Sequence, residues 1–293
     1  MRARGGGVKL ENILLGLAKG GIEQRAVDAG EIDAVIDYAN SNVVLLPAAR
    51  RALREAGAWD SAASEAPEHR SSIVNSLLGA LPKAEYQELL GGLELLALPL
   101  GEVLQQPGVP LAHVYFPVDC VIVLLATAEH ERGLGVGLIG YEGMLGISLA
   151  LGSDAPPVRA LVQAGGAVLR MNAEPFHAAL RRCPALQRAL YRYAHAKLAQ
   201  AWQTAACNSL HATEARLARW LLMISERARS EELLLTQALL ADLLGVQRTT
   251  INEAAGPLQQ RGLIGFSRGK IRILDRKRLE AACCGCYRVM SGT

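Results

Sequence analysis

Gln247, Arg248, Thr249, Thr250, Asn252 and Glu253 place six side chains able to hydrogen-bond in pairs within seven positions. Arginine can donate both arms of its guanidinium to guanine, Asn or Gln can match adenine, and Glu can accept from cytosine. That chemistry requires the side chains to stand together on one exposed helix face. The preceding residues can supply the support. Thr236 is placed to cap a short helix with its hydroxyl, and Leu239, Leu240, Leu243 and Leu244 give that helix an apolar stripe. Gly245 falls where the chain must reverse through a left-handed backbone.

Ala241, Gly245 and Ile251 have the spacing of a helix-turn-helix: small at the helix contact, Gly in the turn, branched apolar in the second core face. Ile251 and Leu258 turn inward, leaving residues 247–253 at the N-terminal outer face, the part of such a helix that reaches base edges. Pro257 removes an amide and predicts that the second helix bends or ends there. Further on, Ser267-Arg268-Gly269-Lys270-Ile271-Arg272 reads as a basic β-wing. Ser267, Arg268, Lys270 and Arg272 would hold phosphates, which position a protein without reading sequence.

Charge placement agrees with a polyanion partner. The 293-residue chain carries a net charge of only +3, yet residues 246–278 hold 8 Lys/Arg against 2 Asp/Glu. Half of the residues are apolar, but no run approaches the ~20 apolar residues of a membrane span. The basic start, Met1-Arg2-Ala3-Arg4, is followed by no apolar core or cleavage site, so no signal peptide is expected. The six cysteines are scattered apart from Cys283, Cys284 and Cys286, which is no disulfide framework. Reduced thiols and a cytoplasmic location are the expectation.

Periodicity divides the rest. Residues 1–70 read as an extension of unknown role, mostly helical, in which Ile32–Ile36 and Val43–Leu46 are too short to settle as strand or helix. Residues 72–92 predict two helices divided at Pro82. After Leu95, apolar runs at 112–116, 119–127, 134–139, 158–163 and 167–171 are separated by Gly, Pro, Asp and Asn, which suggests an antiparallel barrel or jelly roll. Helical spacing returns from Ala173 to Arg229. After Cys183-Pro184, the residues Leu190, Ala194, Leu198, Ala201 and Ala205 form a narrow stripe suited to a dimer seam. The expected fold class is α+β. Its parts are an extension (1–70), an antiparallel β-roll (71–172), a connecting helix (173–211) and a winged helix-turn-helix (212–293).

Residues from about 72 to 287 resemble the superfamily of the cyclic-AMP receptor protein and the fumarate–nitrate regulator. The resemblance is carried by the winged helix of Leu235 to Leu274, the strand-rich 95–171 and the helix between. It implies a homodimeric transcription regulator with a β-roll sensor, a long dimer helix and double-stranded DNA as partner. Contact with RNA polymerase follows from the same resemblance.

The resemblance also locates a ligand slot. In that family a cyclic nucleotide is held by a Gly-Glu-x-Gly turn and, one loop later, an Arg-Ser or Arg-Thr pair. Here Gly143 and Gly146 align with the two glycines, which puts Met144 in the Glu position, while Glu142 lies two residues earlier. Arg159 falls in the Ser/Thr position and Val158 in the Arg position. Ribose and phosphate lose their polar partners, so a degenerate slot is expected, and cyclic-nucleotide binding is disfavoured. Glu142, Gly143, Met144 and Arg159 remain the candidate ligand residues. The iron–sulfur branch uses an N-terminal cysteine cluster, and this chain has no Cys before Cys120. No required cofactor, metal site or catalytic group is expected: there is no phosphate loop, nucleophile elbow or carboxylate pair. A constitutive or architectural DNA binder is the competing expectation.

Overall fold

A computed structural model describes residues 34–37, 42–45, 75–127, 133–267 and 269–291. In the extension, β1 (Ala34–Asp37) and β2 (Asn42–Leu45) pair as an antiparallel hairpin. The helices expected around them lie outside the described residues.

The chain then forms α1 (Ser76–Gly79) and α2 (Lys83–Leu90), divided at Pro82 as the spacing predicts. Two antiparallel sheets follow. One has the order β3-β9-β5, from Glu94–Leu98, Gly166–Asn172 and His113–Pro117. The other has the order β4-β8-β6-β7, from Val103–Gln105, Val158–Ala164, Val121–Thr127 and Gly133–Ile139. Five of these strands fall on the apolar runs. β3 and β4 do not, because β3 has only Leu98 fully buried and β4 is three residues long.

β6 explains why residues 119–127 read as one unbroken apolar run. Ile122 and partly buried Leu124 pack between the two sheets. Val121, Val123 and Leu125 point the other way, into the core that also contains Trp220, Leu243 and Ile251. A strand covered on both faces loses the alternation of a half-exposed one. The roll and the C-terminal part therefore share one continuous core.

Beyond the short α3 (Ile147–Ala150), α4 (Ala173–Arg182) leads to α5 (Pro184–Leu210), a helix of 27 residues. Pro184 at its first turn needs no amide. Two orphan amides there, those of Ala185 and Leu186, donate to the Glu85 carboxylate of α2 at 3.0 and 2.9 Å. The stripe expected to be free is rotated: Leu190 is fully buried in the roll's own core, and the exposed apolar residues are Tyr191, Leu198, Trp202 and Leu210. Leu190 fills the space beneath the roll, so the outward face begins one residue later.

At His211 and Ala212 the backbone is extended, ending α5 and starting α6 (Thr213–Ala228). The winged unit follows: β10 (Glu232–Leu234), α7 (Gln237–Leu244), α8 (Arg248–Gln260), β11 (Ile264–Ser267) and β12 (Lys270–Ile273), with sheet order β10-β12-β11. Then come α9 (Arg276–Ala282) and α10 (Cys286–Ser291). Among the described residues no helix is long and apolar enough to cross a membrane.

α8 corrects one expectation: it neither ends nor breaks at Pro257. The preceding Gly256 has no side chain to crowd the ring, Leu258 is anchored in the core, and Arg261 N–H bonds back to the Pro257 carbonyl at 3.1 Å. The missing amide is one lost bond in a helix held by its buried face.

Candidate nucleic-acid interface and the slot behind it

The reading face is assembled by local geometry. Thr236 caps α7, its hydroxyl accepting from Leu239 N–H at 3.2 Å. Gly245 follows in the left-handed region at φ 63°, ψ 38°, and a Cβ there would lie 2.6 Å from Leu134 of β7. The turn thus favours Gly for its backbone, while the Leu134 side-chain tip could move aside for a Cβ. α8 then leaves Gly245 with Ile251, Ala254, Ala255 and Leu258 buried.

Gln247, Arg248, Thr249, Asn252 and Glu253 are all exposed, and Thr250 is partly so. The structure thus places the six sequence-predicted residues at the N-cap and in the first two turns of α8, five exposed and Thr250 partly so. Gln237 of α7, which the sequence reading passed over, donates to Asn252 Oδ1 at 2.6 Å and orients that amide. A groove of about 540 Å³ runs beside them, lined by Thr236, Gln237, Asn252, Gln259, Phe266 and Gly269. Its far wall is the wing. Ser267, Lys270 and Arg272 are exposed there, and Lys270 pairs with Glu232 at 3.6 Å. Arg268 lies outside the described residues.

Behind the reading unit, Glu142, Tyr193 and Lys197 line a cavity of about 600 Å³. Met144 is fully buried, and Gly143 lies beneath the Tyr193 ring of α5, where any Cβ would collide with the ring. The Tyr193 hydroxyl donates to the Met144 carbonyl at 3.1 Å. Arg159, on β8, is half-buried with no hydrogen-bond partner for its Nε.

Glu142, which has no evident partner in the sequence, acquires two. Its carboxylate accepts from Arg227 Nε of α6 at 2.8 Å and lies 3.5 Å from Lys197 Nζ of α5. Burial alone would push the Glu142 pKa up; Arg227 and Lys197 more than reverse this and hold it below its ordinary value. Burial pushes Lys197 down to about 8, against the pull of Glu142. Lys197 also donates to the Leu138 carbonyl at 2.6 Å, and the Arg229 guanidinium sits 4.3 Å over the Tyr141 ring. Partners 55 and 85 positions away leave no local signal, so sequence reasoning could not find them.

Glu142→Gln should therefore lower stability by about 2 kcal/mol, because two largely buried cations lose their counter-charge. For a chain of this size the melting temperature should fall by roughly 4–8 °C at neutral pH. A carboxylate with a depressed folded pKa contributes above its unfolded value, here 4.5, and loses that contribution as pH falls further. Calorimetry should find the gap between variant and native protein closing in acid; a gap that is unchanged there would reject this account.

Comparison with known proteins agrees with this geometry. Residues 215–282 match the family model described as the Crp-like helix-turn-helix domain. Among solved structures, a putative CRP/FNR-family transcriptional regulator of Eubacterium rectale superposes with a TM-score of 0.57 at 19% identity, covering 70% of this chain and 96% of that one. A CRP/FNR-family regulator of Thermus thermophilus gives 0.54 at 25% identity, covering 64% and 97%. The c-di-GMP-responsive global regulator of Xanthomonas campestris gives 0.55 at 17% identity, covering 66% and 99%. No curated protein matches the chain in sequence. Residues 215–282 thus carry a Crp-like helix-turn-helix domain, and the β-roll and long helix before it share the fold of solved CRP/FNR-family regulators.

Proposed function

We propose that the protein is a homodimer that reads a palindromic DNA site through Gln247, Arg248, Thr249, Thr250, Asn252 and Glu253, with Ser267, Arg268 and Lys270 on phosphates. The observation that carries this reading is the exposed first two turns of α8, beside a basic wing and with no acidic side chain but Glu253. The stripe of Tyr191, Leu198 and Trp202 on α5 supplies the face for a second copy. Two heads on such a seam meet half-sites about 34 Å apart. The domains are 71–172 for the roll, 173–211 for the connecting helices and 212–293 for the reader, with 1–70 as an appendage.

Genome-wide footprinting tests the dimer and the reader together, since a palindrome is expected and a single asymmetric site would reject the arrangement. Arg248→Ala tests the reader alone. Sequence preference should fall by about 10- to 100-fold, leaving weak, salt-sensitive binding to any duplex. Unchanged preference in a competition gel shift would remove Arg248 from the base readers.

A second reading is favoured by the Glu142 clasp and the burial of Met144: the roll braces a constitutive DNA binder and takes no cyclic nucleotide. The two readings separate in gel-shift titrations with and without candidate effectors. Effector-dependent affinity supports the sensor, and constant affinity supports the brace.

A further inference from the structure

Where α5 ends, four side chains from two distant stretches of sequence converge. Cys207 lies in the last turn of α5 and His211 caps its end, one helical turn on. Cys284 lies between α9 and α10, and Cys286 is the first residue of α10. One ligand atom from each lies within 4.8 Å of the other three. Cys207 Sγ is 3.4 Å from Cys284 Sγ, and Cys286 Sγ is 3.6 Å from His211 Nδ1. A tetrahedral zinc ion, with Zn–S near 2.3 Å and Zn–N near 2.0 Å, separates its sulfurs by about 3.8 Å and a sulfur–nitrogen pair by about 3.5 Å. We propose that Cys207, His211, Cys284 and Cys286 form a mononuclear structural zinc site that staples the foot of α5 to the C-terminal tail.

Three independent features support it. All three cysteines are buried and free of disulfides, clustered with only Ala215 packed against them, so a set of soft ligands is enclosed with little apolar filling. Gln203 Nε2 donates to Cys286 Sγ at 3.0 Å, the kind of outer bond that orients a thiolate on a metal.

The third feature is charge. Arg219 of α6 is completely buried, and its Nε and Nη2 have no hydrogen-bond partner. Its Nη1 meets the sulfurs of Met290 at 2.9 Å and Met223 at 3.7 Å, and the guanidinium lies 5.3 Å over the Trp220 ring. Among the described residues it pairs with no carboxylate. Buried cations require compensation. Zinc with three thiolates and a neutral imidazole carries one net negative charge, and Arg219 is near enough to the Cys207 thiol to act on it. Three thiolates select a soft ion over magnesium or calcium, and four protein ligands close the shell, which marks a structural rather than a catalytic centre. Loading releases three thiol protons to solvent and changes no oxidation state.

The site spans the extended residues His211 and Ala212, the single backbone link between α5 and α6. Because α10 packs against α6 through Met290 and Arg219, a metal at this point fixes how the reading unit is hung from α5.

The test uses the full chain, purified under reductant without a metal-affinity tag. Elemental analysis should find about one zinc per chain. Cobalt(II) titrated into the apoprotein should give the ligand-field and charge-transfer bands of a tetrahedral thiolate site. C284S should lose both zinc and those bands, while C283S, whose thiol donates instead to the Glu280 carbonyl at 3.1 Å, should keep them. Circular dichroism run alongside checks that each variant is folded. Native protein that neither carries zinc nor gives tetrahedral cobalt bands overturns the proposal, as does iron accompanied by acid-labile sulfide, or full zinc retention by a folded C284S.

Discussion

Trp202→Glu is expected to turn the protein into a monomer and to lower its affinity for a two-half-site DNA by about 100-fold or more. Trp202 is 61% exposed on α5, with Leu198 at 48% four residues before it and Tyr191 at 49% a further seven residues before that. These spacings put all three on one side of the helix. In the proposed dimer a second copy covers this stripe, and a carboxylate at its centre would then have to be buried unpaired. Each head would still bind its half-site, but without the second contact held close by linkage. Light scattering reads the mass and a gel shift reads the affinity. A dimeric Trp202→Glu would place the seam elsewhere. A monomer that retains full affinity would refute the two-headed reader.

The second large effect is expected from Gly135→Val, which should separate the roll from the reading unit. A Cβ at Gly135 would stand 2.7 Å from the Leu243 carbonyl and 2.8 Å from the Trp220 ring. Neither neighbour can yield: one is helix backbone and the other a ring buried in the shared core. Overpacking a tight contact costs about 1–3 kcal/mol, and more where backbone must move. Gly137→Ala is the matched control, because its Cβ meets Leu124 at an ordinary 3.5 Å and Gln200 Oε1 at 4.0 Å. Calorimetry should resolve two transitions for Gly135→Val and one for Gly137→Ala, with faster protease cutting near His211 in the former. A single unshifted transition in Gly135→Val would show that β7 and α7 are not truly in contact.

The reading head was legible because its determinants are local. Thr236, Gly245 and the alternating leucines act within a few residues of where they sit, and so do the polar side chains from 247 to 253. At the slot the sequence shows Met144 in the carboxylate position, and the structure buries that side chain. The clasp of Glu142 with Lys197 and Arg227 joins residues from three elements, and no periodicity encodes such a meeting. The cysteines failed for the same reason. Cys284 and Cys286 read alone are an unremarkable tail, and Cys207 with His211 is an ordinary helical pair, until the fold brings position 207 to position 284. Pro257 misled in the opposite direction, because a local rule was overridden by the burial of Leu258.

One mechanical consequence follows from how α5 is held. Glu85 grips its first turn, Tyr193 and Lys197 fasten its middle to the roll, and its foot meets the C-terminal tail at Cys284 and Cys286. At 27 residues the helix is about 40 Å long, so each degree of tilt at its root carries its tip roughly 0.7 Å sideways. Because β6 and β7 of the roll also share a core with α6 and α7, a lean of α5 by a few degrees would have to be taken up by that core as a shift of about an atom's width.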